Sequence, residues 1–556
     1  MAQVLPKGLR LAAPPTMPQA RTYLFKQSAT NSSISPGQTV TINIPRLQRS
    51  YLTNDSYLKF TVNLKYKPNP NGGTLYAQYP FMFDVCGAYG VFDKIEVFDY
   101  LGSTLLESTA GHAQLVTLLQ QMTTSQSEYK HFWGANAGLR AGFIQAANPG
   151  QHHISNTYYS FKLNDQSSVA AKATGLDWTP PQTGEILNDA PASAAGSYVY
   201  VAREYCIPLL SFLGLLSPKF SPLHNGFTIV LTTHPQATTF GISNLGIAGN
   251  YGTTAGTTPA ATIDLTAGKN TTDSDATITY SDFSYCCQVL ELGPQAEELL
   301  LGSTGGNPLV IPTKAFRNYI GTIPAGNTTF RLDLNLNVAS LTNILWFMRN
   351  SSIIASDNRR SISERIRNYL QSWYFQYGSS ILPQTAGIQA RSKNVAEANR
   401  PGFSIGTQAA NTSTKFYTDH SECYNELMKS RHLFTESMHP TTFTMWDYIK
   451  DIDTTTTAIP VISTSSAAPA LPYNYLGYDN PEAPGCFACG LDLELVSGRS
   501  NDLVCGMNTN GINTSIYATF DPVPAAANTI TARVDAYCEY DAFINIVPGV
   551  ATTVSF

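Results

Sequence analysis

The chain has 556 residues, of which 43% are hydrophobic and only 13% charged, with a formal net charge of −5. That length is too great for one ordinary domain and suits two or three, each able to bury a sizeable core. No run approaches the ~18 apolar residues of a membrane-spanning helix, and the N-terminus lacks the apolar segment of a secretory signal.

The charged fraction is about half the usual ~25%; Thr, Asn, Ser, Gly and Ala fill the difference. Such a surface is either covered by other subunits or simply neutral and Thr-rich. Tyr (30) and Phe (26) are plentiful and β-branched runs abound, which favours an all-β protein with long polar loops. The nine Cys are an odd number. Most lie in strand-like runs and read as buried free thiols in a reducing compartment. The sequons at Asn270 and Asn327 are expected to stay unmodified.

Residues 1–22 carry four prolines and no periodicity, and read as an extended arm. No Asp or Glu precedes Asp55, whereas Lys7, Arg10 and Arg21 do. The arm is therefore a solvated tail, or a contact for neighbouring molecules or a polyanion through those three residues. Pro36-Gly37 then precedes a strand in which Val40, Ile42 and Ile44 alternate with polar residues. Tyr57 to Tyr66 and Val91 to Asp99 are further strands. His112 to Thr123 reads as a helix, with Leu115, Leu118, Leu119 and Met122 on one stripe. Residues 164–197 form a long loop, then come strands at Tyr198–Leu210 and Phe227–Thr232, a second long loop over 234–276, and a closing strand, Ile278–Leu292. A short helix from Pro294 begins a connector at 293–306.

The order then recurs. Phe98-Asp99-Tyr100-Leu101-Gly102-Ser103 returns as Phe375-Gln376-Tyr377-Gly378-Ser379, one residue shorter, and each copy reads as a hairpin turning at Gly-Ser. Pro324 and Gly326 precede Phe330–Leu336 as Pro36-Gly37 precedes its strand. A strand at Leu341–Met348, a helix at Glu422–Phe434 and short strands from Ala488 to Phe520 follow. Thr531 to Ile546 closes the chain in strict alternation. Each half holds about eight strands, too many for one flat sheet. The sequence thus predicts an all-β fold of two tandem eight-stranded jelly-roll β-sandwiches with short helices in loops. The expected limits are 1–22 for the arm, 23–292 for the first roll, 293–306 for the connector and 307–556 for the second roll.

Three stretches carry a family resemblance: Cys206 to Ser211 with Ser221-Pro222-Leu223 and Phe227–Leu231; Gln376 to Pro383; and Phe487–Leu495 with Asp502–Gly506. In order and spacing the chain resembles the double jelly-roll major capsid proteins of icosahedral DNA viruses. The resemblance implies a structural protein of the virion, assembled inside the host cell as pseudo-hexagonal homotrimers that tile a shell around the DNA. It implies neighbouring capsomers, penton and minor capsid proteins as partners, with non-specific DNA contact. It places the arm, with Lys7, Arg10 and Arg21, on the inner side. The loops at 164–197 and 234–276 are expected to crown the outside.

No catalytic, cofactor or metal residues are expected. Gly402 to Gly406 matches G-x-S-x-G but lacks the flanking strand and helix of a nucleophile elbow. Cys486 and Cys489, with Cys505, form one CxxC and read as packed thiols rather than zinc ligands. His152-His153 lacks a third ligand. Arg359, Arg360, Arg365 and Arg367 read as a solvated loop or subunit contact, with phosphate binding the alternative. The competing function is a glycan-binding protein or glycoside hydrolase on tandem sandwiches.

Overall fold

The computed structural model describes residues 21–53, 55–66, 81–83, 87–123, 199–208, 221–234, 242–244, 276–295, 297–298, 309–351, 365–384, 387–390, 421–431, 486–494, 506–520, 531–547 and 552–555. The loop at 164–197, nearly all of the one at 234–276 and most of the arm lie outside them; Ile242–Asn244, read as loop, form a short strand.

The first half contains β1 (Arg21–Ser28), β2 (Ser33–Ile34), β3 (Thr39–Ile44), β4 (Ser50–Leu52), β5 (Tyr57–Tyr66), β6 (Phe81–Phe83), β7 (Phe92–Asp99), β8 (Leu105–Ala110), β9 (Val199–Pro208), β10 (Ser221–Pro222), β11 (Phe227–Thr233), β12 (Ile242–Asn244) and β13 (Ala276–Glu291). The second contains β14 (Leu309–Ile323), β15 (Thr329–Leu334), β16 (Leu341–Asn350), β17 (Leu370–Tyr377), β18 (Ser380–Leu382), β19 (Ile388–Gln389), β20 (Cys489–Asp492), β21 (Thr514–Phe520), β22 (Ala532–Ile546) and β23 (Thr553–Ser555). Helices α1 (His112–Thr123) and α2 (Ser421–Lys429) each follow the hairpin of their half.

In the first half β1, β13, β5 and β9 lie side by side in one sheet, and β3, β11, β7 and β8 in another. In the second half β14, β22, β16 and β20 form one sheet, and β15, β21, β17 and β18 the other. Set the short strands aside and both halves read alike. The first, eighth, third and sixth strands face the second, seventh, fourth and fifth, all antiparallel. This is the jelly-roll order, and it occurs twice.

The alternating patterns fold as their periodicity dictates. Val40, Ile42 and Ile44 turn inward with Leu58, Phe60 and Val62, where Phe60 stacks on Phe283 at 5.4 Å. In the second roll Trp346 meets Trp373 edge-on at 5.5 Å. The two cores trade residues. Ile311, Ile544 and Ile546 of the second half pack into the first core, and Leu115, Leu118 and Met122 of α1 pack into the second. Helix α1 is accordingly buried almost all round, not along one stripe.

The repeated hairpins occupy the same place in both rolls, and Phe98 pairs with Leu105 as Phe375 pairs with Leu382. Their aromatic residues nevertheless face differently. Phe375 is buried, whereas Phe98 is half-exposed and its neighbour Val97 takes the core position. Val97 sits across from Ile229 and Ile42, as Phe375 sits across from Ile516 and Leu332. The offset arises at a register shift between Val97 and Phe98, beside the longer first turn. There Asp99 holds the turn: its carboxylate accepts from the Ser103 and Thr104 amides at 2.7 and 2.9 Å. Gly102 (φ 71°) and Gly378 (φ 57°) supply the left-handed backbone both turns need.

Two of the long strands, β1 and β14, were not expected from the sequence, nor were the short β2, β4, β6, β10, β12, β19 and β23. The two long ones are equivalent, each the first strand of its roll, and among the described residues each pairs on one side only, with β13 and β22. Such edges tolerate Pro312 and an outward Leu24, both of which interrupt the alternation that marks a strand.

The register offset has a measurable consequence. Phe375→Ala is expected to lower stability by about 3–5 kcal/mol, and Phe98→Ala by about 1 kcal/mol because its ring is half in water already. Urea unfolding midpoints of the two variants check the difference.

Candidate functional site at the junction of the two rolls

The closing strand β22 has two buried faces. Ala532, Val534, Ala536 and Cys538 look into the second core, while Asp535, Tyr537 and Glu539 look outward and are also buried. The outward face is covered by α1, which the connection after β8 carries over from the first roll. The Tyr537 hydroxyl donates to the Gly111 carbonyl at 2.8 Å. Gly111 (φ 61°) has no side chain to spare here, since a Cβ would lie 2.5 Å from that hydroxyl. One turn into α1, the Gln114 amide, with its nitrogen toward Gly111, accepts from Arg349 Nη1 at 3.2 Å. Near its end, Gln121 Oε1 accepts from Arg365 Nη2 at 2.6 Å.

Charges on this face are dry and paired. Arg349 Nε donates to Asp535 Oδ2 at 2.8 Å and Arg533 Nη2 to Oδ1 at 3.0 Å. Arg431, just beyond α2, reaches Glu539 at 2.8 Å, and Asn343 Nδ2 donates to the same oxygen at 2.9 Å. Burial pushes the Glu539 carboxyl up, but Arg431, Lys314 and Asn343 outweigh it and hold the group below the usual carboxylate range. Lys314 pairs with Glu494 at 2.7 Å. Burial opposes its charge, and Glu539 and Glu494 restore it, raising its pKa. From the first roll, His234 faces Asp93 at 4.0 Å. That contact favours a charged imidazole, but Asp93 is nearly half-exposed and its pull is weak. Burial, with Arg349 and Arg533 nearby, brings His234 down to about 4. Burial alone takes His112, the first residue of α1, to about 3.

Several sequence candidates meet here, in roles other than those expected. Arg365 and Arg367 are buried, which corrects the reading of a solvated loop or phosphate contact for both. Arg365 is a cross-brace: besides Gln121 it donates to the Cys486 carbonyl at 2.9 Å and lies over the Phe347 ring. Cys489 has Cys423 of α2 as its sulfur neighbour, 3.5 Å away, and burial pushes its thiol well up. No group of three His, Cys, Asp or Glu suited to a metal occurs among the described residues. Arg21 opens β1 and pairs with Glu291 while largely exposed. Lys7, Arg10, His152, His153, Arg359, Arg360, Cys505 and 402–406 lie outside the described residues. The sequence reading missed Asp535, Arg349 and Arg533. Charges at every second position of a strand read as a solvent face, and only the helix laid over them makes the face an interior.

This arrangement does mechanical work. The bonds that cross here from one roll to the other are those of α1 and Gly111 before it, to Tyr537, Arg349 and Arg365; the ion pairs brace the second-roll surface on which α1 rests. The molecule is a tandem jelly roll whose two cores share residues.

No protein-family model matches the chain, and no curated protein matches it. Among solved structures, a chain in the 3.5 Å cryo-EM structure of the Sputnik virophage is similar in fold, with 11% identity and a TM-score of 0.56 over 96% of this chain and 88% of that one. The mavirus major capsid protein gives 11% identity and a TM-score of 0.49 over 96% and 90%. The Faustovirus major capsid protein gives 9% and 0.46 over 95% and 91%. At these identities the likeness is one of fold, and it runs through both rolls.

Asp535→Ala leaves Arg349 buried without its carboxylate and is expected to cost about 3–5 kcal/mol, read from the urea midpoint. Stability should also fall in acid. His112 and His234 are neutral in the fold and take up protons on unfolding, so stability present above pH ~6.5 is lost as pH drops toward their depressed folded values. The lowered Glu539 loses its contribution in the same direction, at lower pH. His234→Gln should flatten the slope between pH 4 and 6.5 by up to ~1.4 kcal/mol per unit, as urea titrations across that range would show.

Proposed function

We propose that this chain is the major shell-building protein of an icosahedral DNA virus, assembling as pseudo-hexagonal homotrimers. One observation carries the reading. The same eight-strand order occurs twice in one chain, and the pair matches a chain of the Sputnik virophage along 96% of its length. Two similar rolls taken three times around an axis give six similar edges, so a trimer tiles like a hexamer. The low charge of 13% suits a surface engaged by neighbours. The dry seam favours a building block over a catalyst, since its buried carboxylates Asp535 and Glu539 are neutralised in place. In this reading the basic arm, with Lys7 and Arg10 and running into β1 at Arg21, lies on the inner side, where neighbouring capsomers, minor and penton proteins and packaged DNA are its candidate contacts.

Mass photometry at nanomolar concentration should find three times the chain mass of 60.4 kDa, and negative-stain images should show hexagonal outlines. A persistent monomer would overturn the reading in favour of a tandem-sandwich glycan-binding protein or hydrolase. Because β1 begins at Arg21, deletion of residues 2–20 should leave the melting temperature of the free capsomer unchanged and impair particle formation.

A further inference from the structure

Helix α2 and strand β20 approach each other at the level of their backbones. A Cβ at Gly490 would lie 2.9 Å from Leu427 Cδ1 and 3.0 Å from Leu427 Cα, so glycine is what lets helix and strand come this near. Cys423 stands one turn before Leu427 on the helix, and Cys489 stands next to Gly490 on the strand. Both are thiols in this structure and both are fully buried. Their sulfurs are 3.5 Å apart. A disulfide needs about 2.05 Å, so the gap left to close is about 1.5 Å.

The pair that meets is not the CxxC of the sequence. Cys486 is engaged on the other side, where its sulfur accepts from Gln121 Nε2 of α1 at 3.8 Å. The position of the Cys423–Cys489 contact also matters. Helix α2 is tied to the sheets at both ends: the Glu422 carboxylate accepts from the Gln389 amide of β19 at 3.0 Å, and Arg431 reaches Glu539 of β22 at 2.8 Å. The sulfurs lie between those polar ties, across 66 residues of sequence.

We propose that Cys423 and Cys489 are a latent disulfide: in reducing surroundings they pack as thiols, and a low-molecular-weight disulfide oxidant joins them, fastening α2 covalently to β20. The step is thiol–disulfide exchange. One cysteine thiolate attacks a sulfur of the oxidant and expels a thiolate. The second cysteine attacks the mixed disulfide and expels the other. Two cysteine thiols are oxidised, one oxidant disulfide is reduced to two thiols, and the two cysteine protons end on them. Burial sets the rate. It pushes the Cys489 thiol well up, and the thiolate is the nucleophile, so exchange passes through openings of α2 and is slower than at a surface thiol. Once formed, the bond is shielded from reductant by the same burial. The inference does not depend on self-assembly.

Full-length protein purified under reducing conditions and then held with oxidised glutathione at mildly alkaline pH tests this. Alkylation, digestion and mass spectrometry should find Cys423 and Cys489 in one linked peptide, lighter by two hydrogens than its reduced halves together. Urea below the unfolding midpoint should speed the linkage, because it populates the open state. The oxidised protein should melt higher by on the order of 5 °C and return to its starting value with dithiothreitol. Cys423→Ala and Cys489→Ala, each checked by circular dichroism, should lose that rise; if either fails to fold, the peptide map of the wild type decides alone. Glutathione left as a mixed disulfide on either residue, linkage through Cys486 instead, or no linkage even in sub-denaturing urea overturns the inference and leaves the shell-building role standing.

Discussion

The relative placement of the two rolls depends on α1, which leaves the first roll and packs against the second. Asp535, on the side where α1 packs, and Glu539, reached by Arg431 from the end of α2, are both buried, and each has cations at fixed positions. Arg349, Arg533 and Arg431 supply them. Ion pairs of this kind add little net stability over an apolar interior but are costly to break, so they penalise other arrangements more than they favour this one. The trading of apolar residues between cores acts in the same sense. Ile544 and Ile546 belong to the second roll by strand and to the first by packing. His224, held to Glu297, ties the start of the connector to the first roll.

The internal repeat shapes the surface as well. Identical strand order places equivalent edges in equivalent positions, and the chain joins one such pair covalently. The rolls have diverged where they meet different neighbours. The second roll's outer sheet face carries buried charge under α1, while the corresponding face of β5 and β13 carries half-buried Tyr57, Lys59 and Gln288.

Much of this was legible in the sequence, for physical reasons particular to each element. Helix α1 could be read residue for residue because its apolar stripe has helical spacing and no residue in it breaks a helix. The closing strand β22 could be read because its alternation is unbroken over eight inward positions. The strand order followed from count and family resemblance, not from periodicity. The two first strands escaped because an edge relaxes the demands that make a strand recognisable: Pro312 costs no ladder bond there, and Leu24 faces outward. The seam escaped because a residue's sequence shows its chemistry but not its cover. Arg365 looks the same to a reader of sequence whether water or Phe347 lies beneath it. The repeated aromatic hairpin misled in detail, since a single extra residue in the first turn exchanges Val97 for Phe98 at the core.

The bond from Tyr537 to Gly111 spans 426 residues. A ribosome adds roughly 5–20 residues per second, so α1 leaves it tens of seconds before the strand it must cover. Throughout that interval Leu115, Leu118 and Met122 have no second core to enter, and the first core lacks Ile544 and Ile546. The nascent first roll is thus an unfinished body with an uncovered apolar helix. The lock that joins the two rolls is also what delays their completion until the last residues arrive, and leaves their synthesis reliant on whatever shields that helix meanwhile.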